Sequence, residues 1–218
     1  MPGQVSVLHV DDEPDVLELS TQLFERTDSD VSMVTAGSGP AGIEALSTHD
    51  VDCVVSDSVR MPDGESFVEA ASRTTDAPIV LFTAKEWNEV AGDAVAADVS
   101  EYVRKADASD YQTVIRHVQR LAGDEDADVD RRLIGQHDFT SPVELGVSIV
   151  EAVENVVDGD ATEFDPLYDA VDADALESLF VPAAGRAQPE NVEVRFSYQG
   201  LDLAVAADGR ITAATASN

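Results

Sequence analysis

The sequence predicts an α/β protein, with a doubly wound parallel sheet of five strands followed by a small α+β domain. In residues 5–122, short runs rich in Val and Ile alternate five times with helical patterns. Apolar strands that helices cover on both faces form parallel sheets. After residue 141, helical patterns precede three alternating strands joined by Gly-containing turns. The right-handed crossover rule favours the flavodoxin-like strand order 2-1-3-4-5 for the (βα)5 half.

The elements of the first half follow from residue periodicity. Strands are predicted at Val5–Val10, Val31–Ala36, Val51–Ser56, Ile79–Thr83 and Tyr102–Arg104. Helices are predicted between and after them at 14–26, 39–47, 66–74, 88–97 and 110–121. In the first helix, Pro14 suits the first turn, and one predicted apolar stripe consists of Val16, Leu17, Leu19, Leu23 and Phe24. The lone cysteine, Cys53, is expected to be a small core residue in a reducing compartment.

The second half begins after an acid-rich run, 124–130, whose composition indicates either a linker or an exposed extension of the last helix, and we assign 123–140 to an acidic linker. Ser141-Pro-Val-Glu reads as a capping box that opens a helix, with Val143, Val147, Val150 and Val153 on one face. Two shorter helices are predicted to begin at Asp165-Pro166 and Asp172, the second ending before Pro182. An antiparallel meander is then predicted from strands 192–198, 201–207 and 210–214, with turns at Gln199-Gly200 and Asp208-Gly209.

The charge of the chain is strongly negative in both halves. The formal net charge is −31, with 8 basic and 23 acidic side chains in residues 1–122 and 5 and 21 in residues 123–218. Such an excess of acid is typical of proteins adapted to multimolar salt, where charge repulsion is screened. No apolar run approaches the ~20 residues of a membrane span, and strand-like sequence by Val5 leaves no room for a signal peptide. We therefore expect a soluble cytoplasmic protein.

Polar residues stand where four of the predicted strands end. Asp11-Asp12 follow the first strand, Asp57 the third and Lys105 the fifth, while Thr83 ends the fourth. Carboxyl ends of parallel strands share one edge, which is where such folds bind ligands. The acids alone would prove little, since Asp and Glu supply 44 of 218 residues, but only two residues are lysine. The pattern indicates a site for transferring a phosphoryl group onto a carboxylate.

In type and order, these five residues resemble the signature of the CheY-like receiver domain, the phosphoacceptor half of a two-component response regulator. The resemblance implies that Asp57 accepts a phosphoryl group from a sensor histidine kinase. It also implies that Mg²⁺ is held by Asp12, Asp57 and the backbone carbonyl of Val59, with Asp11 holding a water. Lys105 and Thr83 would contact the phosphoryl oxygens. Tyr102 is placed like the switch aromatic of the family, so Thr83 and Tyr102 are the expected switch pair. Such a protein would not be an enzyme beyond its own phosphorylation and dephosphorylation.

Two departures from the family pattern concern loops at the site. Met61-Pro62 begins four residues after Asp57, where three is usual, and this affects the assignment of Val59 as a metal ligand. Lys105 is followed by Ala106 where proline is usual. The lysine is therefore expected to be held less rigidly, with a weaker or shorter-lived phosphorylation.

Residues 141–216 resemble, more weakly, a small output domain found after receivers in haloarchaeal signalling proteins. The resemblance assigns 1–122 to the receiver, 123–140 to the linker and 141–218 to the output domain. We expect the output to be contact with an unknown protein or self-association. A DNA-binding regulator is the main alternative, although its basic residues are spread thinly over Arg131, Arg132, Arg186, Arg195 and Arg210. A phosphohydrolase using Asp57 as nucleophile ranks last, because Val59 stands where such enzymes place a second Asp.

Overall fold

The chain forms two compact units, residues 1–129 and 130–218. The computed structural model describes residues 5–27, 31–123, 131–157, 164–180 and 192–215. Arg186 and most of the acidic run predicted as a linker (124–130) lie outside these ranges, as do residues 181–191 after the last helix. Among the described residues, no helix combines the length and apolar character that a membrane span needs.

The first unit is a five-stranded parallel sheet in the order β2-β1-β3-β4-β5, which confirms the predicted topology. Its strands are β1 (Val5–Val10), β2 (Val31–Ala36), β3 (Cys53–Ser56), β4 (Ile79–Thr83) and β5 (Glu101–Arg104). The helices are α1 (Pro14–Thr27), α2 (Gly39–Thr48), α3 (Phe67–Ser72), α4 (Trp87–Ala96) and α5 (Asp110–Gly123). All five predicted strands and helices are present, with ends that shift by a few residues.

The core of this unit lies on the strands, because helices cover them. Strands β3 and β4 are buried along their whole length, as fully covered parallel strands require. Cys53 is buried with 0% exposure, as expected. The predicted stripe of α1 was wrong at Leu19, which is 42% exposed. Ser20 is buried instead, so the buried face of the helix is centred one residue further along.

Backbone hydrogen bonds extend the sheet beyond its strands and so fix the functional edge. The Asp57 amide donates to the Val10 carbonyl at 2.9 Å, and the Lys105 amide donates to the Thr83 carbonyl at 2.7 Å. The first residue after β3 is therefore held beside the end of β1, and the first residue after β5 beside the end of β4. Side chains at these positions are placed by the sheet itself.

The second unit is an antiparallel four-stranded sheet in the order β6-β9-β8-β7. It contains β6 (Arg132–Gln136), α6 (Leu145–Glu154), a 3₁₀ turn (Leu167–Asp169), α7 (Ala173–Phe180), β7 (Glu193–Tyr198), β8 (Leu201–Ala206) and β9 (Arg210–Thr215). The predicted meander is confirmed. Gln199 and Gly200 both have positive φ, 51° and 77°, as a tight hairpin demands. One apolar cluster joins the helices to the sheet and includes Ile149, Phe180, Leu203 and Ile211.

Two details of this unit differ from the prediction. Strand β6 lies inside the segment predicted as a linker, and it pairs with β9 from the far end of the chain; such a distant partner leaves no local signal. The predicted capping box at Ser141 was wrong, because α6 begins only at Leu145. The Ser141 hydroxyl accepts from the Val143 amide in a turn. Val143 and Val147 are consequently 44% and 46% exposed rather than on the core face.

Candidate functional site

Three of the predicted site residues meet at the carboxyl edge of the parallel sheet. The Lys105 ammonium donates to Asp11 Oδ2 and, at 2.8 Å, to Asp57 Oδ2. Their side chains are 13%, 0% and 15% exposed. The ammonium also lies 5.1 Å from the centre of the Phe82 ring. One lysine therefore connects the ends of β1, β3 and β5 in a site that is mostly shielded from water.

The site keeps its charges despite this burial. Burial by itself would raise the pKa of Asp57, but the nearby donors Lys105 and Thr83 outweigh it and lower the pKa below its ordinary value. Burial would likewise lower the pKa of Lys105, but the hydrogen bonds to Asp11 and Asp57 outweigh it and raise the pKa. At neutral pH the site therefore contains an ionised carboxylate beside an ammonium ion.

Asp11, Asp12 and Asp57 form an acidic cluster in which one carboxylate oxygen from each residue lies within 4.8 Å of the other two. Asp11 is buried and Asp12 exposed, so the cluster opens to solvent on one side. The Asp11 side chain is fixed by a further hydrogen bond, because its Oδ1 accepts from the Glu13 amide at 2.9 Å. Carboxylate oxygens with one open side are the donor set that Mg²⁺ prefers, because this ion keeps several of its waters. The residues present thus fit a magnesium ion.

The backbone at Val59 forms a tight loop after Asp57. The Val59 amide donates to the Asp57 carbonyl at 2.7 Å, and the Val59 carbonyl accepts from the Phe67 amide at 2.9 Å. A carbonyl oxygen has two lone pairs, so one remains after this bond. The four-residue spacing between Asp57 and Met61 is accommodated in this loop, in which the Met61 amide donates to the Glu65 carbonyl at 2.8 Å.

Ser58, which the sequence prediction missed, lies in contact with both Thr83 and Asp57. The Thr83 hydroxyl donates to the Ser58 hydroxyl at 3.2 Å, and the Ser58 hydroxyl donates to Asp57 Oδ1 at 3.2 Å. The Ser58 amide donates to the same oxygen at 2.5 Å. The sequence feature that could have identified Ser58 is its position directly after Asp57, but serine is common in loops and does not by itself indicate a site residue.

Tyr102 is packed inside the protein. Its side chain is 8% exposed, its hydroxyl donates to the Lys85 carbonyl at 2.7 Å, and its ring packs edge-on against Trp87 with centroids 5.4 Å apart. The tyrosine thereby connects β5 to the segment between Thr83 and α4. An inward or outward movement of this ring stays a prediction.

His9 is the second residue near the site that the sequence prediction missed. It is fully buried on β1, with Nε2 4.0 Å from Asp11 Oδ2. Neither ring nitrogen has a hydrogen-bond partner among the described residues. Burial, aided by the Lys105 charge, lowers the pKa of His9 to about 3. The imidazole is thus neutral and leaves the charge balance of the site to Lys105 and the carboxylates.

Comparison with known families agrees with this geometry. The family model for the response regulator receiver domain matches residues 7–116, and the model for Halobacterial output domain 1 matches residues 142–214. The chain therefore belongs to the response regulator receiver family and carries a haloarchaeal output domain after its receiver. Receiver domains are phosphoacceptor signalling domains rather than conventional enzymes, they interact with histidine kinases, and they bind Mg²⁺ at an acidic pocket. No curated protein matches the chain.

Solved structures similar to this chain are receivers. The response regulator TrrA of Thermotoga maritima, in complex with Mg²⁺ and BeF, is 28% identical over 54% of this chain and 98% of its own, with a TM-score of 0.45. The chemotaxis protein CheY4 of Vibrio cholerae is 22% identical over 55% and 99%, with a TM-score of 0.47. A response regulator of Clostridium difficile is 16% identical over 57% and 100%, with a TM-score of 0.49.

Proposed function

We propose that this protein accepts a phosphoryl group on Asp57 from a sensor histidine kinase in a magnesium-dependent reaction. The receiver is assigned to residues 1–122, and the output domain to 141–218 together with β6. The single observation that carries the proposal is the bonding of Lys105 to both Asp11 and Asp57. With only two lysines in 218 residues, the placement of one of them between these carboxylates argues for a specific charge requirement.

The chain's own residues supply most of the chemistry. An oxygen of the Asp57 carboxylate would form the new P–O bond, while the P–N bond of a phosphohistidine breaks and the imidazole takes a proton from solvent. Lys105 would follow the developing charge from Asp57 Oδ2 to a phosphoryl oxygen, and the Thr83 hydroxyl would donate to another. Asp11, Asp12, Asp57 and the Val59 carbonyl would hold Mg²⁺, which when bound neutralises charge on the phosphoryl group.

We propose that phosphorylation of Asp57 changes the conformation around Tyr102, and that this change is transmitted to the output domain. Because the Tyr102 hydroxyl bonds the Lys85 carbonyl, a shift of the chain after Thr83 would act directly on this ring. The face formed by α4, β5 and α5 would then repack, as in other switches where a local charge biases two packings. The downstream event is proposed to be protein–protein contact or self-association in the cytoplasm.

Two alternatives lack support. For DNA binding, three of the four described arginines of the second unit are engaged with the protein's own carboxylates: Arg131 with Asp202 at 3.3 Å, Arg195 with Glu193 at 2.6 Å and Arg210 with Asp208 at 2.9 Å. They do not form the free basic stripe that phosphate contacts need. For phosphohydrolase activity, Val59 has no proton to donate as a general acid.

The proposal is tested by phosphorylation of the full chain. Incubation with acetyl phosphate and Mg²⁺ should add one phosphoryl mass, measured by intact-mass spectrometry. The mass should be lost in Asp57→Asn and without divalent metal, and Asp12→Ala should reduce it more than Asp11→Ala. Asp63→Asn, an exposed acid in the same loop, is the matched control and should label normally. Labelling that persists in Asp57→Asn would refute the assignment.

A further inference from the structure

We infer that His9 is a positioning residue that donates a hydrogen bond to Asp11 whenever the Lys105 ammonium leaves that carboxylate. The moment at which Lys105 leaves is the arrival of a phosphoryl group on Asp57, so to this extent the inference rests on the proposed function. Neither the sequence pattern nor the family resemblance gives His9 a role.

His9 lies directly below Asp11 on the same face of the parallel sheet. Residues two apart in a strand point to the same face, and the Asp11 amide continues the ladder of β1 by donating to the Ala36 carbonyl at 3.1 Å. In the register with β3, His9 pairs with Val55, which stands two residues before Asp57. The imidazole therefore belongs to the layer of side chains immediately beneath the carboxylates.

The imidazole of His9 is a buried polar group without a hydrogen bond in the resting protein. The residue is 0% exposed, and neither ring nitrogen has a partner among the residues that the structure describes. Most buried polar side chains in native proteins have a partner, and a buried unpaired donor costs stability. A polar ring kept at such a position points to a partner that becomes available in another state.

The acceptor within reach is Asp11. The His9 Nε2 atom lies 4.0 Å from Asp11 Oδ2, and a shift of about 1 Å would bring the two atoms to hydrogen-bond distance. A neutral imidazole has one N–H donor. The tautomer protonated on Nε2 is favoured here, because the other tautomer would direct a lone pair at the carboxylate. In the resting protein the same oxygen instead accepts from the Lys105 ammonium.

Departure of Lys105 would leave a buried carboxylate oxygen without a donor. Asp11 is 0% exposed, and its other oxygen accepts from the Glu13 amide. Among the described residues, no further group donates to Asp11 Oδ2. A buried charge that loses its partner is costly, so the Nε2–H of His9 would replace the ammonium. The exchange keeps Asp11 oriented and makes it easier for Lys105 to move to a phosphoryl oxygen.

The first test is a double-mutant cycle on the full chain in EDTA, in which Lys105→Met imitates the departure of the ammonium. In the wild-type background, His9→Leu should leave the melting temperature unchanged or slightly raised, because no hydrogen bond is lost. In the Lys105→Met background, the same change should lower the melting temperature by about 4 °C. His9→Gln, which keeps a donor near Nε2, should behave like histidine in both backgrounds.

The matched control for the cycle is Val7→Ala, at the next position on the same face of β1. Val7 is also 0% exposed but has no polar group to offer. Its substitution should lower the melting temperature by the same amount in both backgrounds, as expected for a residue that is not coupled to Lys105.

The second test follows the imidazole itself. The ring N–H signal of His9, assigned in ¹⁵N-labelled protein by its loss in His9→Gln, should shift downfield in metal-free Lys105→Met. It should also shift downfield in wild type on addition of Mg²⁺ and beryllofluoride, the phosphoryl analogue. By calorimetry, His9→Leu should bind beryllofluoride roughly three- to tenfold more weakly, where tenfold corresponds to about 1.4 kcal/mol. His9→Gln should restore the affinity.

The outcomes separate this inference from the proposed function. If His9→Leu changes the melting temperature equally in both backgrounds of the cycle, or markedly destabilises the resting protein, His9 is not a reserve donor to Asp11. A wild-type protein that neither takes a phosphoryl mass nor binds beryllofluoride would refute the proposed function, while the cycle in EDTA would still decide the role of His9. If wild type binds beryllofluoride, an unchanged affinity in His9→Leu would overturn that role alone.

Discussion

Replacing Lys105 with methionine should destabilise the magnesium-free protein. The substitution keeps the length of the side chain and removes the ammonium that bonds Asp11 and Asp57. Asp11 is fully buried and would retain only the Glu13 amide as a described partner. Breaking a fully buried pair costs about 3–5 kcal/mol. Because this cluster opens to solvent at Asp12, we expect a loss of about 2 kcal/mol in the free energy of unfolding.

The same substitution should strengthen magnesium binding. The ammonium occupies the carboxylate oxygens that a metal would use, and it would repel any cation placed there. Two unit charges 4 Å apart interact by about 1 kcal/mol in water and about 4 kcal/mol near a protein surface. A partly open site near the lower end of that range gives a dissociation constant about tenfold lower. Saturating Mg²⁺ should then recover the lost stability, since a ligand at 100 times its dissociation constant adds about 2.7 kcal/mol.

The assays are magnesium calorimetry and thermal unfolding with EDTA or Mg²⁺, at one fixed salt concentration because salt screens the effect. Lys85→Met, which removes the only other lysine, is the control; Lys85 forms no ion pair with a described carboxylate and should behave as wild type. Hydrogen exchange over residues 100–116 should change on phosphorylation in wild type and stay flat in Lys105→Met. Unchanged magnesium affinity together with unchanged melting in EDTA would mean that Lys105 is a surface lysine.

Three further substitutions test packing, a buried hydrogen bond and pH dependence. Gly42→Ala should cost about 1–3 kcal/mol, because its Cβ would lie 2.6 Å from the Phe67 ring, whereas Gly92→Ala, with open space, should be neutral or stabilising in thermal melts. Tyr102→Phe should lose about 1 kcal/mol with its 2.7 Å hydroxyl bond, measured by urea unfolding. Burial lowers the pKa of His137 in the folded protein. The unfolded chain therefore binds a proton more readily, and the free energy of unfolding should decrease as pH falls through about 6.5. In His137→Gln this decrease should be smaller, as measured by unfolding followed with circular dichroism at several pH values.

The sequence was sufficient to predict the sheet and the side chains that meet at its carboxyl edge. Continuous Val- and Ile-rich runs bounded by helices permit few topologies, and residues that follow parallel strands must meet at one edge. Lys105 was informative because the chain has only two lysines, so a lysine directly after a predicted strand is unlikely to reflect composition alone. The meander was predictable because each of its two turns contains a glycine, Gly200 or Gly209, which readily adopts the positive φ of a tight hairpin.

The tertiary structure decided the features that depend on distant partners. Strand β6 exists because β9, more than 70 residues later, offers it a pairing edge, and α6 starts where Leu145 can enter the core rather than where a local cap was available. The contact of Thr83 with Ser58, and the burial of His9 between strands β2 and β3, likewise arise from segments that are far apart in sequence. Local patterns determine which elements form, whereas the choice of each side chain's partner is made only when those elements pack.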